Sequence, residues 1–193
     1  MQKLFIISIF LIFTNMAYGQ QVEFGVRVGP SFTTLGGEGS DGSEFGIWFH
    51  LGGYLSVPIS ETISFEPGLI YARKGAKGHE MGTNLSIRND YIDIPLVLKA
   101  ALSESFFVVF GPQPSFLVGS SIVMDSGGNR VTVDGSDIRS LYRNLDFAGI
   151  LGLGVNLPLG LGIQATYEHG LVTLMENESA YNRGIKFSLN KRF

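Results

Sequence analysis

The chain has 193 residues, 45% of them hydrophobic and only 16% charged, with 26 glycines and no cysteine. The charged share is below that of a typical soluble domain. The formal net charge of -3 gives no electrostatic footprint for nucleic acid. The absence of cysteine excludes a disulfide framework and thiolate metal sites.

The N-terminus reads MQKLFIISIFLIFTNMAYGQ. Lys3 opens it, an apolar run from Leu4 to Phe13 follows, and Ala17 and Gly19 supply small residues at a cleavage site before Gln20. This is the pattern of a secretory signal peptide over residues 1–19, too short to span a bilayer as a helix. Residues 20–193 then form one domain.

Beyond Gln20 the dominant pattern is alternation with a period of two, the mark of strands with two unlike faces. Eight strands are expected, over residues 22–33, 45–57, 63–75, 88–102, 106–118, 143–157, 160–172 and 181–193. In the first, Phe24, Val26 and Val28 oppose Glu23, Gly25 and Arg27. In the second, Ile47, Phe49 and Leu51 oppose Trp48 and His50; in the third, Phe65, Leu69 and Tyr71 oppose Glu66, Gly68 and Lys74. The fourth reads YIDIPLVLKA, with Ile92, Ile94, Leu96 and Leu98 on one face and Asp93 and Lys99 on the other. The fifth is apolar on both faces from Phe106 to Phe110. In the sixth, Leu145, Phe147, Leu151 and Leu153 oppose Asp146, Gly152 and Gly154. In the seventh, Ile163 and Tyr167 oppose Gln164 and Glu168; in the eighth, Ile185, Phe187 and Leu189 oppose Lys186, Ser188 and Arg192. Pro67, Pro95, Pro112 and Pro114 cannot donate to a ladder and predict local bulges.

The connections alternate between short (58–62, 103–105, 158–159) and long (34–44, 76–87, 119–142, 173–180). Outer-membrane barrels alternate in this way, with short periplasmic turns and long outer loops. The expected fold is therefore all-β: an eight-stranded antiparallel up-and-down transmembrane β-barrel with four long outer loops and three short periplasmic turns. A soluble barrel of the lipocalin type would place the apolar face inside instead. The polar face here is rich in glycine and small residues, which suit a narrow interior. The other face is apolar on nearly every strand, as a lipid-facing band requires.

The charges on the polar face are balanced. Arg27, Lys74, Lys99, Lys186 and Arg192 oppose Glu23, Glu66, Asp93, Asp146 and Glu168. Buried charge must be paired, so the ten residues form a candidate ionic plug. Counting along neighbouring strands brings Lys99 to Glu66, Asp93 towards Lys74, and Glu23 near Arg192.

The stretches GVRVG (25–29), EPGLIYARKG (66–75), YIDIPLVLK (91–99), FGP (110–112), LDFAGILGLG (145–154), YEHGL (167–171) and KFSLNKRF (186–193) resemble the small PorT-like outer-membrane barrels of Bacteroidota, often labelled porin family. Asp93 stands where that family often has Glu. The resemblance implies an outer-membrane location, and it implies that Phe193 is part of the signal read by the barrel-insertion machinery.

No G-x-S-x-G, Walker A or H-E-x-x-H motif is present. His50, His79 and His169 form no set with a serine and an acid by spacing. Glu38, Asp41 and Glu44, or Asp125, Asp134 and Asp137, are loop carboxylates that suit a cation no better than they suit water. No catalytic residue, cofactor or metal is expected. The leading expectation is a non-enzymatic barrel that serves envelope structure or presents its loops to a protein partner. A narrow porin for small polar solutes and an accessory subunit of a secretion system are the alternatives.

Overall fold

A computed structural model describes residues 22–38, 40, 42–80, 82–175 and 179–193. The expected signal peptide, Asp41, Asn177 and Glu178 lie outside these.

Among the described residues, ten strands form one antiparallel sheet. They are β1 (Glu23–Gly36), β2 (Glu44–Pro58), β3 (Ile63–Glu80), β4 (Thr83–Asp93), β5 (Leu96–Ala101), β6 (Phe106–Ser126), β7 (Asn129–Asp134), β8 (Leu145–Asn156), β9 (Leu161–Gly170) and β10 (Tyr181–Arg192). One helical turn, α1 (Ser136–Ser140), joins β7 to β8, and a 3-10 turn at Pro158–Gly160 joins β8 to β9. Pairing runs β1–β2–β3, then through β4 and β5 to β6, and on through β8, β9 and β10. The β1–β10 pairing, with Gly25 opposite Arg192 and Gly36 opposite Tyr181, closes the ring.

The expected eight strands are thus corrected to ten, for two physical reasons. First, the expected strand over 88–102 is two strands. Pro95 has no N–H, and the chain leaves the ladder at Ile94 and Pro95. Both β4 and β5 pair with β3 on one side and β6 on the other. The break keeps its polar groups satisfied, since Ile94 N–H donates to the Pro114 carbonyl (2.8 Å) and the Pro95 carbonyl accepts from Gly68 N–H (2.9 Å). Second, sheet continues into segments expected as loops. β3 runs to Glu80 and β4 starts at Thr83, so most of 76–87 is hairpin, and 119–142 holds the end of β6, all of β7 and α1. Two of the four expected long loops, 76–87 and 119–142, are corrected with them. Of the prolines expected to mark bulges, Pro67, Pro112 and Pro114 remain within strands. The register shifts fall elsewhere, between Phe45 and His50 on β2 and between Asp90 and Tyr91 on β4.

Burial follows the alternation with the polar face inside. Along β10, Ile185, Phe187 and Leu189 are exposed while Lys186, Ser188 and Asn190 are buried. Along β8, Leu151 and Leu153 are each 64% exposed while Asp146 is 2% exposed. An apolar exterior around a polar interior is unfavourable in water and favourable in lipid. No described helix is long and apolar enough to cross a membrane.

Candidate functional site

The lumen holds the site. Small residues on the inner face leave room for large ones. A Cβ on Gly154 would stand 2.4 Å from the Phe107 ring, and one on Gly25 would stand 2.4 Å from the Tyr54 ring. Those two rings fill the lower lumen, towards the chain termini.

The middle layer is a four-group ring of charge drawn from four strands. Asp93 on β4 forms an ion pair with Lys74 Nζ at Oδ1 (2.9 Å) and accepts a hydrogen bond from Lys186 Nζ (2.7 Å) through Oδ2. Glu168 on β9 meets the same two lysines, Lys186 at 2.5 Å and Lys74 at 3.7 Å. Two cations and two anions alternate across the lumen, so each charge faces two of opposite sign. Asp93 is wholly buried and Lys74 is 1% exposed. Ser115 Oγ accepts a further bond from Lys74 (3.3 Å). Beside the ring, the His50 imidazole on β2 bridges Ser31 Oγ on β1 and Ser188 Oγ on β10, both at 2.9 Å.

A second cluster lies below. Glu66 meets Arg27 at 3.3 Å and Lys99 at 3.6 Å. One carboxylate between two cations leaves an excess positive charge, which neutral groups help to stabilise. Arg27 Nε donates to Asn190 Oδ1 (2.8 Å), and Lys99 Nζ donates to Asn156 Oδ1 (3.2 Å). The Arg27 guanidinium lies 4.7 Å from the Tyr54 centroid, and Lys99 Nζ lies 3.9 Å from the Phe107 centroid, both within cation–π range. Above the ring, Asp146 accepts from Asn182 Nδ2 and from Phe147 N–H, both at 2.8 Å. Inside the lumen the census is therefore Arg27, Lys74, Lys99 and Lys186 against Glu66, Asp93, Asp146 and Glu168. Arg192 and Glu23 pair at 2.9 Å on the lower rim, where both side chains are partly exposed. Phe193 is 72% exposed, stacks on Phe24 at 6.3 Å, and donates its N–H to the Phe24 carbonyl.

Sequence spacing did not reveal the neutral partners Asn156, Asn182, Asn190, Ser115 and Ser188. Nor did it reveal the contacts of Lys186 and Glu168 with Asp93 and Lys74, because these cross the lumen between strands far apart in the chain.

The space left over is small. Two lumen cavities have volumes of about 20 and 10 Å³. Each is room for roughly one water molecule. At the long-connection end an apolar cluster of Leu35, Ala76, Tyr91, Leu117, Tyr142 and Leu174 covers the network. Ile138 of α1 packs against it, as does Met175 from the β9–β10 connection. In the β6–β7 ladder Asp125 lies opposite Arg130 and Asp134 opposite Ser121. Among the described residues no group of three His, Asp or Glu side chains is placed to hold a metal ion.

A closed antiparallel ring with an apolar outside and a polar, ion-paired inside is the architecture of an outer-membrane β-barrel. The chain belongs to the outer membrane protein beta-barrel domain family, whose model matches residues 16–176. Two solved proteins share the fold. Neisserial surface protein A superposes with a TM-score of 0.53 at 11% identity, over 90% of this chain and 99% of that one. Ail, the attachment invasion locus protein of Yersinia pestis, superposes with a TM-score of 0.52 at 12% identity, again over 90% and 99%. Ail in complex with the heparin analogue sucrose octasulfate gives 0.54 at 13% identity, with the same coverage. No match was found among curated proteins.

Proposed function

We propose that this chain is a non-enzymatic outer-membrane barrel whose lumen is shut, and that it acts through the end that carries its long connections. The observation that carries this reading is the cross-lumen ring of Lys74, Asp93, Lys186 and Glu168, each group held by two of opposite charge. A solute would have to separate these pairs in a low-dielectric interior, where an uncompensated charge costs several kcal/mol (about 3–5 when one partner is lost). The same ring weighs against a narrow porin. Arg27, Glu66, Lys99 and Asp146 extend the plug, and Glu23 with Arg192 close its lower rim.

With the lumen shut, the remaining role is mechanical support of the envelope or presentation of the loop end to a partner. The name of Ail, an attachment protein of the same fold, is in keeping with the second. Export by residues 1–19, insertion signalled by Phe193, and the narrower PorT-like assignment with its link to secretion belong to this reading. They rest on the sequence motifs. By the general rule for such barrels, the short turns and both termini face the periplasm.

Liposome swelling tests the shut lumen. Vesicles carrying the folded chain are expected to swell in isotonic small sugars no faster than empty vesicles. Swelling at the rate of a porin control would favour the narrow-porin reading.

A further inference from the structure

The strand β7 stands apart from the ring. Among the described residues it pairs with β6 alone, which leaves its other edge without a strand partner there, and all six of its residues are exposed. An open edge of this kind is a template for another strand.

The geometry fixes which groups the edge offers. Gly127 and Gly128 both have positive φ (59° and 90°) and form a two-residue hairpin turn between Ser126 and Asn129. Such a turn closes on a hydrogen-bonded pair formed by its flanking residues. Hydrogen-bonded and non-bonded pairs then alternate, so Asn129, Val131 and Val133 bond to β6. The N–H and C=O groups of Arg130, Thr132 and Asp134 point to the free edge.

We propose that this edge pairs with the same edge of a second copy of the chain. An antiparallel partner must place outward-bonding residues opposite outward-bonding residues, which leaves few registers. Centring on Arg130 sets Arg130 against Arg130 and centring on Asp134 sets Asp134 against Asp134, both repulsive; centring on Val131 or Val133 engages only two outward-bonding residues of each edge. The register centred on Thr132 uses all three residues of each edge. It sets Thr132 against Thr132 and each Arg130 against the other copy's Asp134. It also aligns Val131, 54% exposed, with Val133, 40% exposed, on the opposite face. Neither Arg130 nor Asp134 has an ion pair to another described residue, so both charges are available. Three bonded pairs supply about six backbone hydrogen bonds.

The symmetry also fixes where the copy comes from. Antiparallel edge pairing needs a twofold axis through the sheet, and that operation inverts the second barrel. Two copies in one membrane share their up–down sense and cannot make this contact. Copies in facing membranes can, so the contact tethers one membrane surface to another.

This inference rests on the reading of the chain as a barrel that presents its loop end; swelling tests that reading and tethering tests this one. The experiment uses the full mature chain in vesicles, with folding checked for each variant by heat-modifiable gel mobility. Wild-type vesicles are expected to cluster. R130D places acids at both ends of the edge and D134R places bases there, so each alone is expected to cluster about tenfold less or worse. Vesicles of R130D mixed with vesicles of D134R should regain clustering, because every opposed pair is then complementary. In the cysteine-free chain, T132C should form a disulfide dimer on oxidation, and S103C, on the opposite end, should not. Clustering of either single variant at the wild-type level, failure of the mixture to regain it, or equal crosslinking of T132C and S103C would overturn the proposal.

Discussion

Two ion-pair sites in this barrel have similar contact distances and opposite surroundings. Lys186 meets Asp93 at 2.7 Å inside the lumen, and Arg192 meets Glu23 at 2.9 Å on the lower rim. The Asp93 side chain is wholly buried, whereas that of Glu23 is 41% exposed. The rim pair has water as an alternative partner for each charge. The lumen groups have only one another and a few amides and hydroxyls. Distance alone therefore says little about what either pair does; burial decides whether its loss is felt.

Asp93→Ala makes the sharpest difference between the two sites. It leaves Lys74 and Lys186 facing only Glu168, and a loss of about 3–5 kcal/mol is expected. Urea unfolding in vesicles, followed by heat-modifiable mobility, reads it. A loss below about 1 kcal/mol would show that the lumen is hydrated enough to replace the carboxylate, and the contrast would collapse.

Gly154→Val probes the same interior without touching charge. Its side chain would meet the Phe107 ring and the Ile163 carbonyl. Overpacking of this kind costs about 1–3 kcal/mol. No change in the unfolding midpoint would mean that the lower lumen is looser than the contacts imply.

Paired substitutions probe whether the ring acts as a unit. Lys186→Met combined with Asp93→Asn removes one charge of each sign and leaves Lys74 opposite Glu168. The double variant is expected to lose less than the two single losses added together, with a coupling of about 0.5–3 kcal/mol. Simple additivity would deny that the ring acts as a unit. The smallest effect belongs to the rim, where Glu23→Gln is expected to cost about 0–1 kcal/mol. A cost equal to that of Asp93→Ala would mean that rim and lumen pairs are equally shielded from water.

The facing of most residues was legible because alternation has only two outcomes. Ile185, Phe187 and Leu189 must point one way and Lys186 and Ser188 the other, and lipid reverses the usual assignment. Levels between neighbouring strands were legible too, since counting from a short turn brings Lys99 to Glu66, 3.6 Å apart. Cross-lumen contacts were not. Nothing in local spacing relates Lys186 to Asp93, which lie 93 residues apart. The strand count failed for different reasons. The alternation of YIDIPLVLKA continues unbroken through Pro95, but the ladder does not. Beyond the lipid band both faces of a strand meet water or the apolar cap, so β7 and the upper parts of β3, β4 and β6 lack the contrast that marks a strand in sequence. Glycines such as Gly82, Gly127 and Gly128 suggest loop by composition, yet here they close tight hairpins.

A lumen shut by paired side chains carries no ions, and planar-bilayer recording of the folded wild-type chain reads this. Membranes containing the chain are expected to show no steady conductance above that of the bare bilayer. Stable, ohmic openings from the folded wild-type protein would contradict the account.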